Sequence, residues 1–194
     1  GQDALESQDL DALFADASRL VADTLENDYC KVLDMDWAAE KLRLRQGVGW
    51  QDSLVGETTV SAVEDDSQAA YTLASRDPVV VEDLTAESRF SGPDLLRDHD
   101  VKSGISVIIG PYDDPWGILG THDTVAKEFS EHDVNFVQSV ATILATAIER
   151  REYERLIEQR NEALTALDSL NTVVREITDA VIEQSTREEI EATV

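Results

Sequence analysis

Cysteine is nearly absent from this chain of 194 residues. Cys30 stands alone, so no disulfide framework and no multi-thiolate metal site can form within one copy. Lysine is scarce too: Lys31, Lys41, Lys102 and Lys127 are the full set, and 16 basic residues face 41 acidic ones. Phosphate backbones require clustered Lys and Arg, so no direct nucleic-acid contact by this chain is expected. No stretch approaches 18 consecutive apolar residues, and no signal-peptide pattern opens the chain. Neither a membrane span nor export is expected, and the expected compartment is the cytoplasm. Histidine occurs three times, as His99, His122 and His132, too scattered to argue a metal site. A His/Glu metalloprotease pair, a Gly-rich phosphate loop and a Gly-x-Ser-x-Gly elbow are all missing. No catalytic residue is therefore assigned, and the chain reads as a non-enzyme.

What is present is acid. The net charge is −25, yet 42% of residues are hydrophobic, enough to build a core. The acids are spread along the chain rather than gathered in a tail, which argues against one cationic partner. Self-repulsion of this size is screened over about 3 Å in molar salt, so a halophilic setting is expected.

Proline and glycine vanish altogether from residues 130–185, far longer than a usual globular helix of about 11–12 residues. In its first part Val137, Ala141, Leu144 and Ile148 form one apolar stripe. A second series follows: Tyr153, Leu156, Arg160, Ala163, Leu167, Leu170, Val174, Ile177 and Val181, stepping alternately three and four. That spacing is a heptad seam with one charged position, Arg160. The step from Ile148 to Tyr153 breaks the register, so the first half is expected to pack on a domain and the second on another helix. A parallel homodimer is expected, its seam taking in Val137, Leu144, Ile148, Leu156, Arg160, Ala163, Leu167, Leu170, Val174 and Ile177. A helix folded back on its own domain is the alternative. Arg150, Arg151 and Arg155 lie among Glu149, Glu152 and Glu154 and read as helix-surface ion pairs.

Ahead of that run, a helix is expected over 8–26 with Ser7 as its cap, its apolar face including Leu10, Phe14, Ala17 and Val21. Alternation predicts strands over 29–37 and 41–50, close enough for a hairpin. Residues 51–60 read as loop, 66–74 as a short helix stopped by Pro78, and 79–84 as a strand. Residues 85–101 hold a helix opened by Pro93 and Asp94. Strands over 103–110 and 116–123 make a second hairpin, and Ser130-x-x-Asp133 caps the long helix. Hairpins require antiparallel pairing, so the class is α+β: one antiparallel sheet flanked by helices, followed by a long C-terminal coiled-coil helix. The expected divisions are 8–150, 151–184 and 185–194. In the last, Ser185 or Thr186 starts a new helix expected to run on past Val194.

Several stretches together carry a family likeness: Arg89-Phe90, the strand Ser103–Ile109, Gly117-Ile118-Leu119, and Phe129 with Asp133. In this order they resemble a GAF domain over about Asp9–Arg151. The likeness is nearest to GAF domains of haloarchaeal bacterio-opsin activator-like regulators, which the acidic composition and the tail Leu170–Val194 fit. That resemblance implies a sensory domain whose DNA-binding part lies elsewhere in the parent protein. It also implies a small-molecule ligand between sheet and covering helices, with Trp50, Tyr71, Arg89, Phe90, His99, Ile108, Trp116 and His122 as candidate walls. Each has a plain structural alternative: Trp116 and Phe90 suit ordinary core, Arg89 has Asp83 and Glu87 nearby, and His122 suits a strand end.

No cofactor is named by these residues. Cyclic-nucleotide GAF domains resemble one another in an Asn-Lys pair where this chain has His122-Asp123. Bilin-binding ones attach through a Cys beside a His, and here Asp98-His99 has none. Methionine-sulfoxide reduction uses several cysteines, and Cys30 is single. Haem or flavin on His99 or His122 has no spacing to support it. A ligand-free dimerisation spacer and an input module of a sensor histidine kinase stand as alternatives. The spacer predicts a sheet-to-helix gap filled by Trp and Phe; the sensor predicts a cavity with polar walls.

Overall fold

The computed structural model describes residues 2–62 and 67–191, with side-chain surroundings given for 9–62 and 67–182. The elements run α1 (Gln2–Leu25), β1 (Tyr29–Asp36), β2 (Lys41–Val48), β3 (Thr59–Ser61), α2 (Gln68–Ser75), β4 (Val79–Val81), α3 (Asp94–Arg97), β5 (Ser103–Ile109), β6 (Gly117–Asp123) and α4 (Glu131–Glu191). Contacts divide the chain into Gly1–Ile148 and Glu149–Val194. The first unit holds a six-stranded antiparallel sheet in the order β3-β2-β1-β6-β5-β4. Both expected hairpins are there. No helix among the described residues is long and apolar enough to cross a membrane.

The sheet is buried on both faces because its strands alternate between two cores. Cys30 and Val32 on β1, Ile105, Val107 and Ile109 on β5, and Leu119 on β6 join Phe14, Val21, Val137, Leu144 and Ile148 in one. Leu33, Leu42, Leu44, Trp50, Leu96 and Ile118 make the other, beneath α3 and the loops. Between Val32 and Leu33 the register slips, so that Arg45 is an extra residue on β2 and Gly47 falls opposite Lys31. At the far edge, Gly117 pairs with Asp34, and a β-carbon there would collide with the Leu33 carbonyl oxygen. Backbone cannot yield as a side-chain tip can. Gly117→Ala is expected to cost about 3 kcal/mol or more, read from the denaturation midpoint in molar KCl.

Local chemistry fixes the ends of the helices. Asp133 Oδ2 accepts from Ser130 N and Oγ, both at 2.8 Å, and Asp133 N–H donates back to Ser130 Oγ at 3.2 Å, the expected cap of α4. Lys127 Nζ donates to the Leu25 carbonyl at 2.6 Å and to Asn27 Oδ1 at 2.9 Å, satisfying the end of α1. Ser67 caps α2, and Arg76 closes it in the left-handed region at φ 62°.

Some expectations change. Helix α1 begins at Gln2 rather than after Ser7, and β3 runs from Thr59 within what reads as loop. The helix before Val101 is a single turn, Asp94–Arg97. Val137, Leu144 and Ile148 are at most 4% exposed. They are spent on the unit's own core, so they are not available as a dimer seam. The expected start of α2 at Asp66 lies outside the described residues, as do the side chains of Ser7 and of the Gln184–Thr186 cap; the backbone is helical through Glu191.

Candidate functional site

Lysine on an inward strand position is the anomaly of this sheet. On β1 the residues facing the second core are Tyr29, Lys31, Leu33 and Met35, and Lys31 is only 4% exposed. Its cross-strand neighbours are glycines, Gly47 on β2 and Gly120 on β6. Next to it is His122, 1% exposed, flanked by Tyr29 and Gly104. A β-carbon on Gly120 would stand 3.1 Å from His122 Nε2 and 3.3 Å from Lys31 Cε, so the two side chains converge over that glycine. A β-carbon on Gly104 would meet His122 Nδ1, and one on Gly47 would meet the Trp50 ring. The three glycines thus clear the floor on which Lys31, His122 and Trp50 lie.

Trp50 joins the group together. Its Nε1–H donates to the Cys30 carbonyl at 2.8 Å, which fixes the indole. Lys31 Nζ lies 5.4 Å from its ring centroid, within cation–π range. The rings of Tyr29, His99 and His122 lie 4.6, 5.0 and 6.4 Å from it, centroid to centroid. His99 follows α3 and its Nδ1 is 2.8 Å from the Leu95 carbonyl, so that nitrogen carries the proton and donates.

Polar atoms in this cluster go unanswered. Nδ1 and Nε2 of His122 and Nε2 of His99 are buried without a hydrogen-bond partner, and no ion pair to Lys31 forms among the described residues. Each such atom costs about 1–3 kcal/mol. Burial pushes the Lys31 ammonium down to about 7. His122 falls well below its ordinary value, first from burial and then from the nearby Lys31 charge. Both groups are therefore held toward their neutral forms by a dry surrounding.

Over the same core a cavity of about 620 Å³ opens, lined by Leu54, Val60, Ser67, Ser91, Arg97 and His99 among others. His99 belongs both to the cavity wall and to the Trp50 cluster.

The eight wall residues named from sequence fall into three places. Trp50, His99 and His122 come together, and Ile108 packs on the same core. Tyr71 and Phe90 lie apart with Val79 and Val81. Arg89 lies with them, its guanidinium 5.5 and 5.8 Å from the Tyr71 and Phe90 ring centroids, and turns to Glu87, at 2.6 Å, and to the Val80 carbonyl, pinning its loop to β4. That pairing, chiefly the hydrogen bond from Arg89, holds the Glu87 carboxyl down at about 2. Trp116 is on the opposite face, 5.1 Å from Phe14. Sequence reasoning passed over Lys31 and Tyr29, although one of four lysines at an inward strand position was a visible signal. Cys30 sits in the first core and burial pushes its thiol up to about 12, the profile of an inert residue.

In the second unit the apolar seam is open. Leu156, Leu167, Leu170, Val174, Ile177 and Val181 are each more than half exposed. Arg150 and Arg151 pair with Glu154, at 2.9 and 3.5 Å, as helix-surface ion pairs.

Comparison with known proteins agrees with the fold. The family model described as "GAF domain" matches residues 9–148. The GAF domain of a phosphoenolpyruvate-protein phosphotransferase from Coxiella burnetii is similar, with TM-score 0.68 and 16% identity over 76% of this chain and 86% of that one. The PixJ GAF domain of Thermosynechococcus elongatus, in its blue-light absorbing form, gives 0.65 and 16% over 79% and 94%. Free methionine-R-sulfoxide reductase from Neisseria meningitidis, solved with its substrate, gives 0.63 and 16% over 78% and 86%. No curated protein sequence matches the chain.

Proposed function

The chain belongs to the GAF domain family, a general sensory and regulatory module, and from that premise we propose that it receives a small-molecule signal for a haloarchaeal transcription regulator of the bacterio-opsin activator-like kind. It acts as a binding module and not as a catalyst. Output passes through a parallel homodimer zipped along the exposed seam of the second unit, in the cytoplasm. DNA binding belongs to a part of the parent protein outside this sequence.

One observation carries the sensory reading over the spacer: the space above the second core is an open cavity of about 620 Å³ whose walls include Ser67, Ser91, Arg97 and His99. A spacer would have filled it with rings. Net charge −25 on a foldable chain supports the halophilic setting. The open leucine, valine and isoleucine stripe supports the dimer, because a surface of that kind calls for a cover. Two of the similar proteins are a reductase solved with its substrate and a blue-light absorbing domain.

The test is direct. Protein purified in molar KCl is denatured, and the released fraction is examined by mass spectrometry beside the visible absorption of the native sample. A stoichiometric small molecule is expected. Recovery of protein alone, joined by no thermal shift with any metabolite in a broad panel, would leave the spacer as the better account.

A further inference from the structure

Resting on the sensory reading, we propose that the ligand is a small anion, a carboxylate or phosphate with a hydrogen-bond donor beside it, received by Lys31, His122 and His99 against the rings of Trp50 and Tyr29. The side chains of Lys31 and His122 lack hydrogen-bond partners among the described residues. Lys31 is 4% exposed, faces an indole and a histidine, and has no ion pair among the described residues. His122 is 1% exposed with both ring nitrogens unanswered among the described residues. Buried charges and buried donors are found paired, so a receptor of this sort is incomplete as it stands.

The missing partner has a definite chemistry. An anion arriving here draws the proton back onto Lys31, whose ammonium then donates only, and His122 with its proton on Nε2 donates from the position where the two converge over Gly120. Two donors, one of them cationic, call for an acceptor with negative charge. His99 calls for the opposite. Its Nδ1 is committed to the Leu95 carbonyl, which leaves Nε2 as a lone pair with no donor to meet it. A hydroxyl or ammonium next to the anionic group supplies that donor. His99 also lines the 620 Å³ cavity beside Asp94 and Asp98, so it is the donor end of the ligand that has room on that side, while Lys31 and His122 are not part of the cavity wall. A β-carbon at Gly120 would press on both Lys31 and His122, while at Gly47 and Gly104 it would collide with the Cys30 and Thr121 carbonyls as well as with Trp50 and His122.

Carboxylate and phosphate share this chemistry, and titration separates them. The full chain, dialysed free of small molecules in molar KCl, is titrated with malate, succinate, inorganic phosphate and the neutral diamide of malic acid. Calorimetry and the fluorescence of the buried Trp50 are read together. Malate or phosphate is expected to bind and the diamide not to, with malate ahead of succinate by the extra donor. Lys31→Met is expected to weaken the preferred anion by about tenfold or more. His99→Phe keeps the ring contacts and is expected to erase the advantage of malate over succinate. Unchanged affinity in Lys31→Met, or equal binding of the diamide, would overturn the assignment, as would no response to any of the anions. A neutral compound that co-purifies and still binds Lys31→Met would end this inference while leaving the sensory reading intact.

Discussion

Unliganded Lys31→Met is expected to be more stable than the natural chain by about 4 kcal/mol at pH 7, with the gap narrowing by about 1 kcal/mol per pH unit above that. The sign follows from where the proton goes. In the unfolded chain Lys31 titrates at its ordinary value of 10.5, and burial brings it down to about 7 in the fold. Between those two values the unfolded chain holds a proton that the folded chain has shed. Natural stability therefore rises with pH across the window, and below it the full cost of burying the ammonium is present. Methionine fills nearly the same volume without the charge, so the pH slope goes with it. Chemical denaturation of both proteins at pH 7, 8 and 9 in molar KCl reads the effect. A variant less stable than the natural chain at pH 7 would show that Lys31 already has a partner in the unliganded fold.

The second large effect belongs to the seam. Leu156→Asp combined with Leu167→Asp is expected to turn the dimer into single chains, read by light scattering in molar KCl. Each leucine counts twice in a symmetric pair, and at about 1.5 kcal/mol per buried side chain the loss is about 6 kcal/mol. That is about four orders of magnitude in the dissociation constant. Both residues are more than half exposed in the single chain, so folding of the N-terminal unit is expected to be untouched. Arg160→Leu is expected to act in the opposite direction, since a lone guanidinium at a seam position opposes pairing. If the natural chain itself scatters as one polypeptide, the proposed route of output is gone.

Much of the fold was legible because its signals are periodic. Alternation over Ser103–Ile109 and Gly117–Asp123 has period two, and the residues beyond Ser130 keep helical spacing without a breaker. Strand β3 was not legible, for three residues, Thr59–Ser61, are too few to show a period and owe their form to pairing with β2. The start of α1 was misplaced because Ser7 is a good cap in isolation, while the helix runs through it from Gln2. The seam shows the same limit: Val137, Leu144 and Ile148 have the spacing of a partner-facing stripe, and only packing shows that their partner is the sheet of the same unit. For the site, Trp50, His99 and His122 could be named from their residue types, but nothing in the sequence separated them from Trp116, which faces the other core.

By itself the sequence determined the α+β class, the acidic composition and the apolar heptad stripe with Arg160 as its exception. All of these are properties of spacing or composition, which survive without a third dimension. Tertiary structure alone decided that Lys31 and His122 meet over Gly120. Residues 31 and 120 are brought side by side by the pairing of β1 with β6, and a one-residue bulge sets Gly47 against them on the other side. Burial, and the absence of a counter-charge among the described residues, are then facts about neighbours, and a chain written in a line has only two neighbours for each residue.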